Sequence, residues 1–262
     1  MLRSMYSGVS GMKGFQTKLD VIGNNIANVN TIGYKKSTIN FQDLLSQNLS
    51  GSGVNPMQVG LGSMTSSVNT IHTPGSSMTT GVGTDISIMG DGFFVVQDPD
   101  TPTNQFLTRA GNFVVEADGD LVTTQGYKVL NAAGAPITGL NNVDLNISRT
   151  GVITGKRTDG TDIAAINIGI VNPPNPTGLS KFGGSLYELT DASGGRTAAG
   201  AMNIQTVADA NTQLGTGMLE MSNVDLTEEF TEMIVAQRGF QANSRTITTS
   251  DEILQEVVNL KR

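Results

Sequence analysis

The sequence has no cysteine, no tryptophan and a single histidine, His72. The lack of cysteine excludes disulfides, thiolate metal ligands and cysteine nucleophiles, so a zinc site at His72 would need carboxylates for every other ligand. A Ser-His-Asp triad would also depend on His72, and no serine lies in a Gly-x-Ser-x-Gly turn. We therefore interpret His72 as an ordinary polar linker residue and predict neither a catalytic nor a metal site.

Long apolar runs and basic clusters are also missing. Runs such as Phe93–Val96 are about four residues long, whereas a membrane-spanning helix needs roughly 20. Residues 1–18 lack the unbroken apolar stretch of a secretory signal peptide. The formal net charge is -7, and binding to nucleic acid or anionic lipid needs clustered Lys and Arg. We therefore expect no membrane insertion and no nucleic-acid partner.

Aromatic residues make up 5% of the chain, which bears on enzyme hypotheses. Carboxylates are plentiful enough for a glycosidase pair, but sugar-binding clefts usually stack sugar rings on aromatic side chains. Glu116, Asp118 and Asp120 alternate as at the start of a calcium loop, yet Leu121 and Tyr127 stand where an EF-hand needs Gly and Glu. We interpret this segment as a hairpin turn and predict a protein that is not an enzyme and has no cofactor.

Helical periodicity is present at the two ends of the chain. At the N-terminus it predicts a helix over residues 3–31, ended by Gly33, because glycine readily adopts the left-handed conformation after a helix. At the C-terminus it predicts a helix over 226–260, and Asp225 with Glu228 resembles a capping box. Gly8, Gly11 and Gly14 do not have P-loop spacing and are interpreted as sites of close helix packing.

Each predicted helix carries an apolar row with the seven-residue period of a coiled coil. Residues 1–36 hold five basic and one acidic side chain, and residues 218–262 hold four basic and eight acidic ones, so the two helices should attract. Because an isolated helix pair buries little surface, we expect further copies of the chain around it. The predicted polymer interface consists of Met5, Met12, Leu19, Ile26, Leu226, Met233, Phe240, Ile247 and Leu254.

The middle of the chain has short β-favouring runs separated by Gly-Asp and Asp-Gly pairs, the residues of tight hairpins. We predict an α+β fold, in which the terminal helices form a coiled-coil-like inner domain and a mainly β outer domain is inserted between them. The predicted parts are an inner helix over 1–34, a partly structured linker over 35–70, a β domain over 71–215 and a second inner helix over 216–262. A monomeric calcium-binding adhesin with a helical stalk would share this layout, but it predicts calcium-dependent stability and no polymer.

Several segments carry the motifs of a known family. They are LDVIGNNIAN at 19–28, continued by Thr31, Gly33, Tyr34 and Lys35, then TRAGNF at 108–113, LEMSNVDL at 219–226 and MIVAQR at 233–238. Together they resemble the signatures of the axial proteins of the bacterial flagellar rod and hook. The resemblance covers nearly the whole chain.

The resemblance implies a structural subunit that polymerises with copies of itself into a helical tube around a central export channel. The Ile-Leu and Val-Asn-Leu pattern at 253–260, and the short Gly/Ser-rich stretch after Leu45, favour the flagellar hook, the flexible joint between rod and filament. The alternative is the distal rod protein of the flagellar basal body. Implied partners are the distal rod, the hook-filament junction proteins, the hook cap and the flagellar export apparatus. The implied location is the extracytoplasmic flagellum, hook or basal body, reached by type III export without a cleaved signal peptide.

Overall fold

In a computed structural model the chain forms two compact units. The first contains Met1–Asn28, Lys36–Ile71 and Val224–Arg262, and the second contains Val29–Lys35 and His72–Asn223. Long helices lie in the first unit and most strands lie in the second, which confirms the predicted α+β class. The structure describes residues 2–50, 57–141, 143–157, 161–196, 202–210 and 212–260.

Two helices dominate the first unit, α1 over Leu2–Ala27 and α2 over Leu226–Asn259. The predicted start of α2 is confirmed, because the carboxylate of Asp225 accepts a hydrogen bond from the Thr227 backbone N–H at 2.8 Å. Glu228, the expected second half of the capping box, instead accepts from the Lys36 ammonium at 2.8 Å. Within the described ranges, no helix is long and apolar enough to cross a membrane.

The end of α1 differs from the prediction. The helix stops at Ala27, and residues 28–33 form turns, so Gly33 is not the residue that ends it. Gly33 does have the left-handed backbone that only glycine adopts easily, with φ +67°. Its N–H donates to the Glu220 carbonyl at 2.9 Å, and a β-carbon there would lie 2.6 Å from the Ala110 nitrogen. This glycine therefore serves the packing of the second unit.

The segment predicted as a linker, 35–70, contributes strands to the first unit. A β-carbon on Gly14 of α1 would lie 2.9 Å from the ring of Phe41, so the strands pack closely on that helix. β1 pairs with β4 and β2 pairs with β3, both antiparallel. The strands are β1 Ser37–Asp43, β2 Gln47–Ser50, β3 Met57–Val59 and β4 Ser63–Thr70.

The second unit is built mainly from antiparallel strands. A large sheet has the strand order β16-β17-β8-β7-β11-β10-β9, and β15 also pairs with β7. Smaller sheets are β12-β13-β14, β18-β6 and β19-β5. The strand bounds are β5 Ser77–Thr79, β6 Ile86–Met89, β7 Phe93–Gln97, β8 Gln105–Thr108, β9 Phe113–Val115, β10 Leu121–Thr123, β11 Lys128–Val129, β12 Val143–Ile147, β13 Val152–Arg157, β14 Ile166–Asn167, β15 Ile170–Val171, β16 Ser180–Gly183, β17 Leu186–Glu188, β18 Gln213–Thr216 and β19 Met218–Glu220.

Strand β7 lies between two hydrophobic clusters. Phe94 and Val96 pack into one cluster, and Phe93 and Val95 pack into the other. Successive side chains of a strand point to opposite faces, so a strand buried on both sides reads as a continuous apolar run. This burial explains the unbroken apolar sequence of β7.

Candidate polymer interface

The two long helices pack antiparallel, and glycines stand at several of the contacts between them. A β-carbon on Gly8 of α1 would lie 3.2 Å from Cγ1 of Ile247, and one on Gly239 of α2 would lie 2.5 Å from Cζ of Phe15. Leaving out the side chain lets the two backbones come together, at a helix-propensity cost of about 1 kcal/mol per glycine. The interpretation of the α1 glycines as close-packing sites is therefore confirmed.

The buried face of α2 follows a row that hydrophobic periodicity does not reveal. Glu229, Ala236 and Ser250 are buried, and Asn243 lies opposite Gly11, where a β-carbon would come within 2.6 Å of the Asn243 amide nitrogen. These α2 residues recur every seven positions. Because only one of them is apolar, a search for apolar periodicity in the sequence does not find this row.

A polar contact closes one end of the helix pair. The buried Asn25 amide donates to the Ser37 carbonyl at 2.9 Å and to the Glu229 carboxylate at 3.1 Å, and its oxygen accepts from the Ser37 N–H at 3.0 Å. An amide with its donors and acceptor satisfied can be buried without the penalty of an unpaired polar group. This contact fixes the register of α1, α2 and β1.

The predicted charge attraction appears as ion pairs at the edge of the same helix pair. Lys18 lies 3.1 Å from Glu232, and Lys36 lies 2.8 Å from Glu228. Each pair has a partly exposed partner, so its contribution to stability is below about 1 kcal/mol. The pairs therefore add little to the stability of the first unit.

The predicted interface row lies beside the buried face of the helix pair. Ile247 contacts the Gly8 region of the same chain, so that part of the row is covered without a second subunit. Leu226 and Phe240 are exposed at 39% and 37%, and Met5, Met12, Leu19, Ile26, Met233, Ile247 and Leu254 are half-buried. The role of the full row in a polymer stays a prediction.

The second unit contains a buried charge cluster that sequence reasoning missed. The Lys35 ammonium lies 2.5 Å and Arg109 lies 3.3 Å from the Glu220 carboxylate, and these side chains are 0%, 1% and 2% exposed. Lys35 also donates to the Thr73 carbonyl at 2.7 Å, and the Gly75 N–H donates to Glu220 at 3.0 Å. Burial lowers the pKa of Lys35, and the nearby carboxylate opposes that change.

This cluster joins distant parts of the second unit. Lys35 ends the segment Val29–Lys35, and Glu220 ends β19, close to the other end of the unit at Asn223. Arg109 follows β8 in the large sheet. All three residues occur within the family motifs, which was the one available signal, but nothing in the sequence pairs them with each other.

His72 is not the ordinary polar linker residue that the sequence suggested. Its ring packs edge-on against Phe93 and Tyr187, with centroids 5.5 Å apart in each case. Burial lowers the pKa of His72 from 6.5 to about 4, because a charged imidazole would lose hydration there. Further lowering comes from nearby cations, Lys35, Arg109 and Lys181.

The low pKa of His72 predicts a pH-dependent stability of the second unit. Between pH 6.5 and 4 the unfolded chain takes up a proton at His72 that the folded chain does not bind, so the free energy of unfolding falls as pH falls. In His72→Phe this part of the fall should disappear. Denaturant unfolding at pH 7 and pH 5 measures both proteins, and an equal fall in the two would contradict the assignment.

The acidic triplet Glu116, Asp118 and Asp120 forms the predicted hairpin turn between β9 and β10. The Gly119 N–H donates to the Glu116 carbonyl at 2.9 Å, and the Asp120 carboxylate accepts from Lys128 at 2.6 Å. Across the described part of the chain, no group of three or more His, Asp or Glu side chains is arranged to bind a metal ion. These carboxylates therefore act in a turn.

Family models match three separate parts of the chain. The model described as "Flagella basal body rod protein" matches residues 5–35, within which α1 lies for most of its length. The "Flagellar hook protein FlgE/F/G D1 domain" matches 87–155, in the β-rich second unit. The "Flagellar basal body rod FlgEFG protein C-terminal" model matches 216–260, which includes α2.

Curated relatives are similar over the full length. The chain is 50% identical to the flagellar basal-body rod protein FlgG of Bacillus subtilis and 37% identical to that of Borreliella burgdorferi, with all of each chain covered. It is 28% identical to the flagellar hook protein FlgE of Borreliella burgdorferi, again with both chains covered, in an alignment of 449 residues. The chain therefore belongs to the family of structural axial proteins that form the bacterial flagellar rod and hook.

Proposed function

We propose that this chain is the subunit of the distal rod of the flagellar basal body. The observation that carries the proposal is the end-to-end match to FlgG, 50% identical over an alignment of 272 residues. The hook protein match needs 449 aligned positions for a chain of 262 residues, so that relative carries long insertions. Similarity in length as well as in sequence favours the rod.

The hook was the expected function, and the comparisons favour its alternative. The C-terminal pattern at 253–260 lies on the last turns of α2 and just beyond, and the model that matches this region, 216–260, is described for FlgE, FlgF and FlgG together, so the pattern does not separate rod from hook. The stretch after Leu45 leads into β2 and β3, which pair with each other. Residues 51–56, within that Gly/Ser-rich stretch, lie outside the described residues. A paired segment at this position suits a rigid rod better than a flexible joint.

The proposed role is mechanical and uses no catalytic chemistry. Copies of the chain assemble into a helical tube through α1 and α2, and the second unit forms the outer part of the wall. Contacts that differ on the two partners build an open helical polymer when the rotation between neighbours does not close into a ring. Export through the flagellar type III apparatus, and contacts with the neighbouring axial proteins, follow as further parts of the same proposal.

Electron microscopy of basal bodies from a strain that lacks the gene tests the proposal. We expect shortened rods that carry no hook, and full-length rods with hooks after the gene is restored. The matched control is a strain lacking its hook protein, which should retain full-length rods. Full-length rods without hooks in the first strain would contradict the rod assignment and favour the hook.

A further inference from the structure

The C-terminal end of α2 extends beyond α1 within the first unit. α1 has 26 residues and α2 has 34. Because Gly8 lies opposite Ile247 and Phe15 lies opposite Gly239, the start of α1 falls beside about residue 252 of α2, at 1.5 Å of rise per residue. Residues 252–260, here called the α2 tail, therefore continue with little of α1 beside them.

The α2 tail is both apolar and acidic. Ile253, Val257 and Val258 are exposed at 48%, 51% and 64%. Glu252 and Glu256 are also exposed, one helical turn apart. Apolar side chains grouped on an unpaired helix end indicate a surface that another protein chain covers.

A pocket with complementary character lies on α1. Tyr6, Val9 and Lys13 share the outer face of this helix, which points away from the residues that meet α2. They and four further residues line a cavity of about 400 Å³, here called the α1 pocket. Its lining is Arg3, Tyr6, Val9, Ser10, Lys13, Leu44 and Leu61. Apolar side chains form much of the pocket, and its two charged residues are basic.

We propose that the α2 tail of a second copy of this chain docks in the α1 pocket, an inference that rests on the proposed polymer. Ile253 and Val257 would contact the apolar lining, and Glu252 and Glu256 would face the basic residues Arg3 and Lys13. Among the described residues these four charged side chains make no ion pair within the chain. Charge complementarity therefore selects a second copy as the occupant.

The α2 tail cannot reach the α1 pocket of its own chain. In the antiparallel register, Val9 and Val257 are separated by about 18 Å along the helix axis, because each residue adds 1.5 Å. The tail and the pocket are also different surfaces, so each subunit offers one of each to its neighbours. Contacts of this kind propagate into an open helical polymer when the rotation between successive subunits does not close into a ring.

Cysteine cross-linking tests the docking, since the natural chain has no cysteine. The full-length variant Val9→Cys/Val257→Cys should form a ladder of cross-linked multimers in assembled tubes under mild oxidation, because a disulfide needs α-carbons within about 7 Å. The matched control is Val9→Cys/Ile234→Cys, since Ile234 is equally exposed but lies near the other end of α2. The control tubes should give at least about tenfold less ladder.

Charge reversal provides an independent measurement that needs no cysteine. Arg3→Glu/Lys13→Glu alone, and Glu252→Lys/Glu256→Lys alone, should each raise the critical concentration for tube formation about tenfold through like-charge repulsion. An equimolar mixture of the two should assemble like the unmodified protein, because each acidic pocket then meets a basic tail and each basic pocket meets an acidic one. Restored assembly supports the pairing even if a cysteine variant folds poorly.

The outcomes separate the docking from the proposed function. Tubes in which the two cysteine pairs cross-link equally, or a charge-reversed mixture that assembles no better than its components, would overturn the docking while the polymer stands. Failure of the unmodified chain to form any tube would overturn the proposed function and the docking with it. A ladder specific to Val9 and Val257, with restored assembly in the mixture, supports both.

Discussion

Glu220→Gln is expected to lower the free energy of unfolding of the second unit by about 3–5 kcal/mol. The substitution keeps the shape of the side chain but removes its charge, which leaves the Lys35 ammonium and the Arg109 guanidinium buried without a counter-ion. Their attraction to Glu220 offsets the loss of hydration in the native protein. Without it, two like charges remain in a site with almost no access to water.

Denaturant unfolding of the full-length protein, followed by near-ultraviolet circular dichroism, measures this loss. The matched control is Glu188→Gln, an exposed glutamate on β17 of the same unit, which should change the free energy of unfolding by less than about 0.5 kcal/mol. Similar small changes for both variants would show that the cluster is not a stabilising network.

The helices could be predicted to different degrees. The predicted bounds of the C-terminal helix agree with the structure to within one residue. The prediction succeeds because Asp225 supplies a local N-cap and the apolar period continues to the end of the helix. The N-terminal helix was predicted too long. In the sequence, Gly33 looks like the glycine that usually ends a helix. In the structure, its left-handed backbone instead allows close packing against Ala110, a contact that exists only in the folded second unit.

The strands were predictable because their signals are local. Alternating or continuous apolar runs ending at Asp-Gly pairs gave the hairpin between β9 and β10 and the buried strand β7. Sheet order was not predictable, since β17 pairs with β8 across a long stretch of chain. Long-range pairing depends on the summed packing of the whole unit, and no single segment encodes it.

The candidate site was the least accessible to sequence reasoning. A search for apolar periodicity selects the row through Met233 and Ile247, whereas the α2 row that faces α1 is made of Glu229, Ala236, Asn243 and Ser250. Polar residues can line the contact between two helices when the opposite helix supplies glycines or hydrogen-bonding partners. Because those partners are far away in the sequence, the pattern of one helix does not reveal the contact. The charge cluster at Glu220 was hidden for the same reason.

Gly239→Val is expected to prevent or strongly impair tube formation. A β-carbon at this position already falls 2.5 Å from the Phe15 ring, and valine adds two methyl groups in the same space. Overpacking of this kind costs about 1–3 kcal/mol, and every subunit of the proposed polymer would carry the same clash. The thermal unfolding of the second unit should not change, because Gly239 lies in the first.

The matched control is the same substitution at Gly23, which is exposed on α1. Among the described residues, no atom outside its own stretch of helix lies within 4 Å of the position of a β-carbon there. Valine there creates no clash within the chain, and its helix propensity is slightly better than that of glycine. Gly23→Val should therefore assemble at close to the normal critical concentration.

We propose that close packing of α1 on α2 builds the subunit that polymerises. This proposal is tested by comparing the critical concentrations for tube formation of Gly239→Val and Gly23→Val, measured by sedimentation and checked by negative-stain microscopy. We expect an increase of at least about tenfold for Gly239→Val, since 1.4 kcal/mol corresponds to a factor of ten, and little change for Gly23→Val. Tubes formed by Gly239→Val at the normal critical concentration would contradict it.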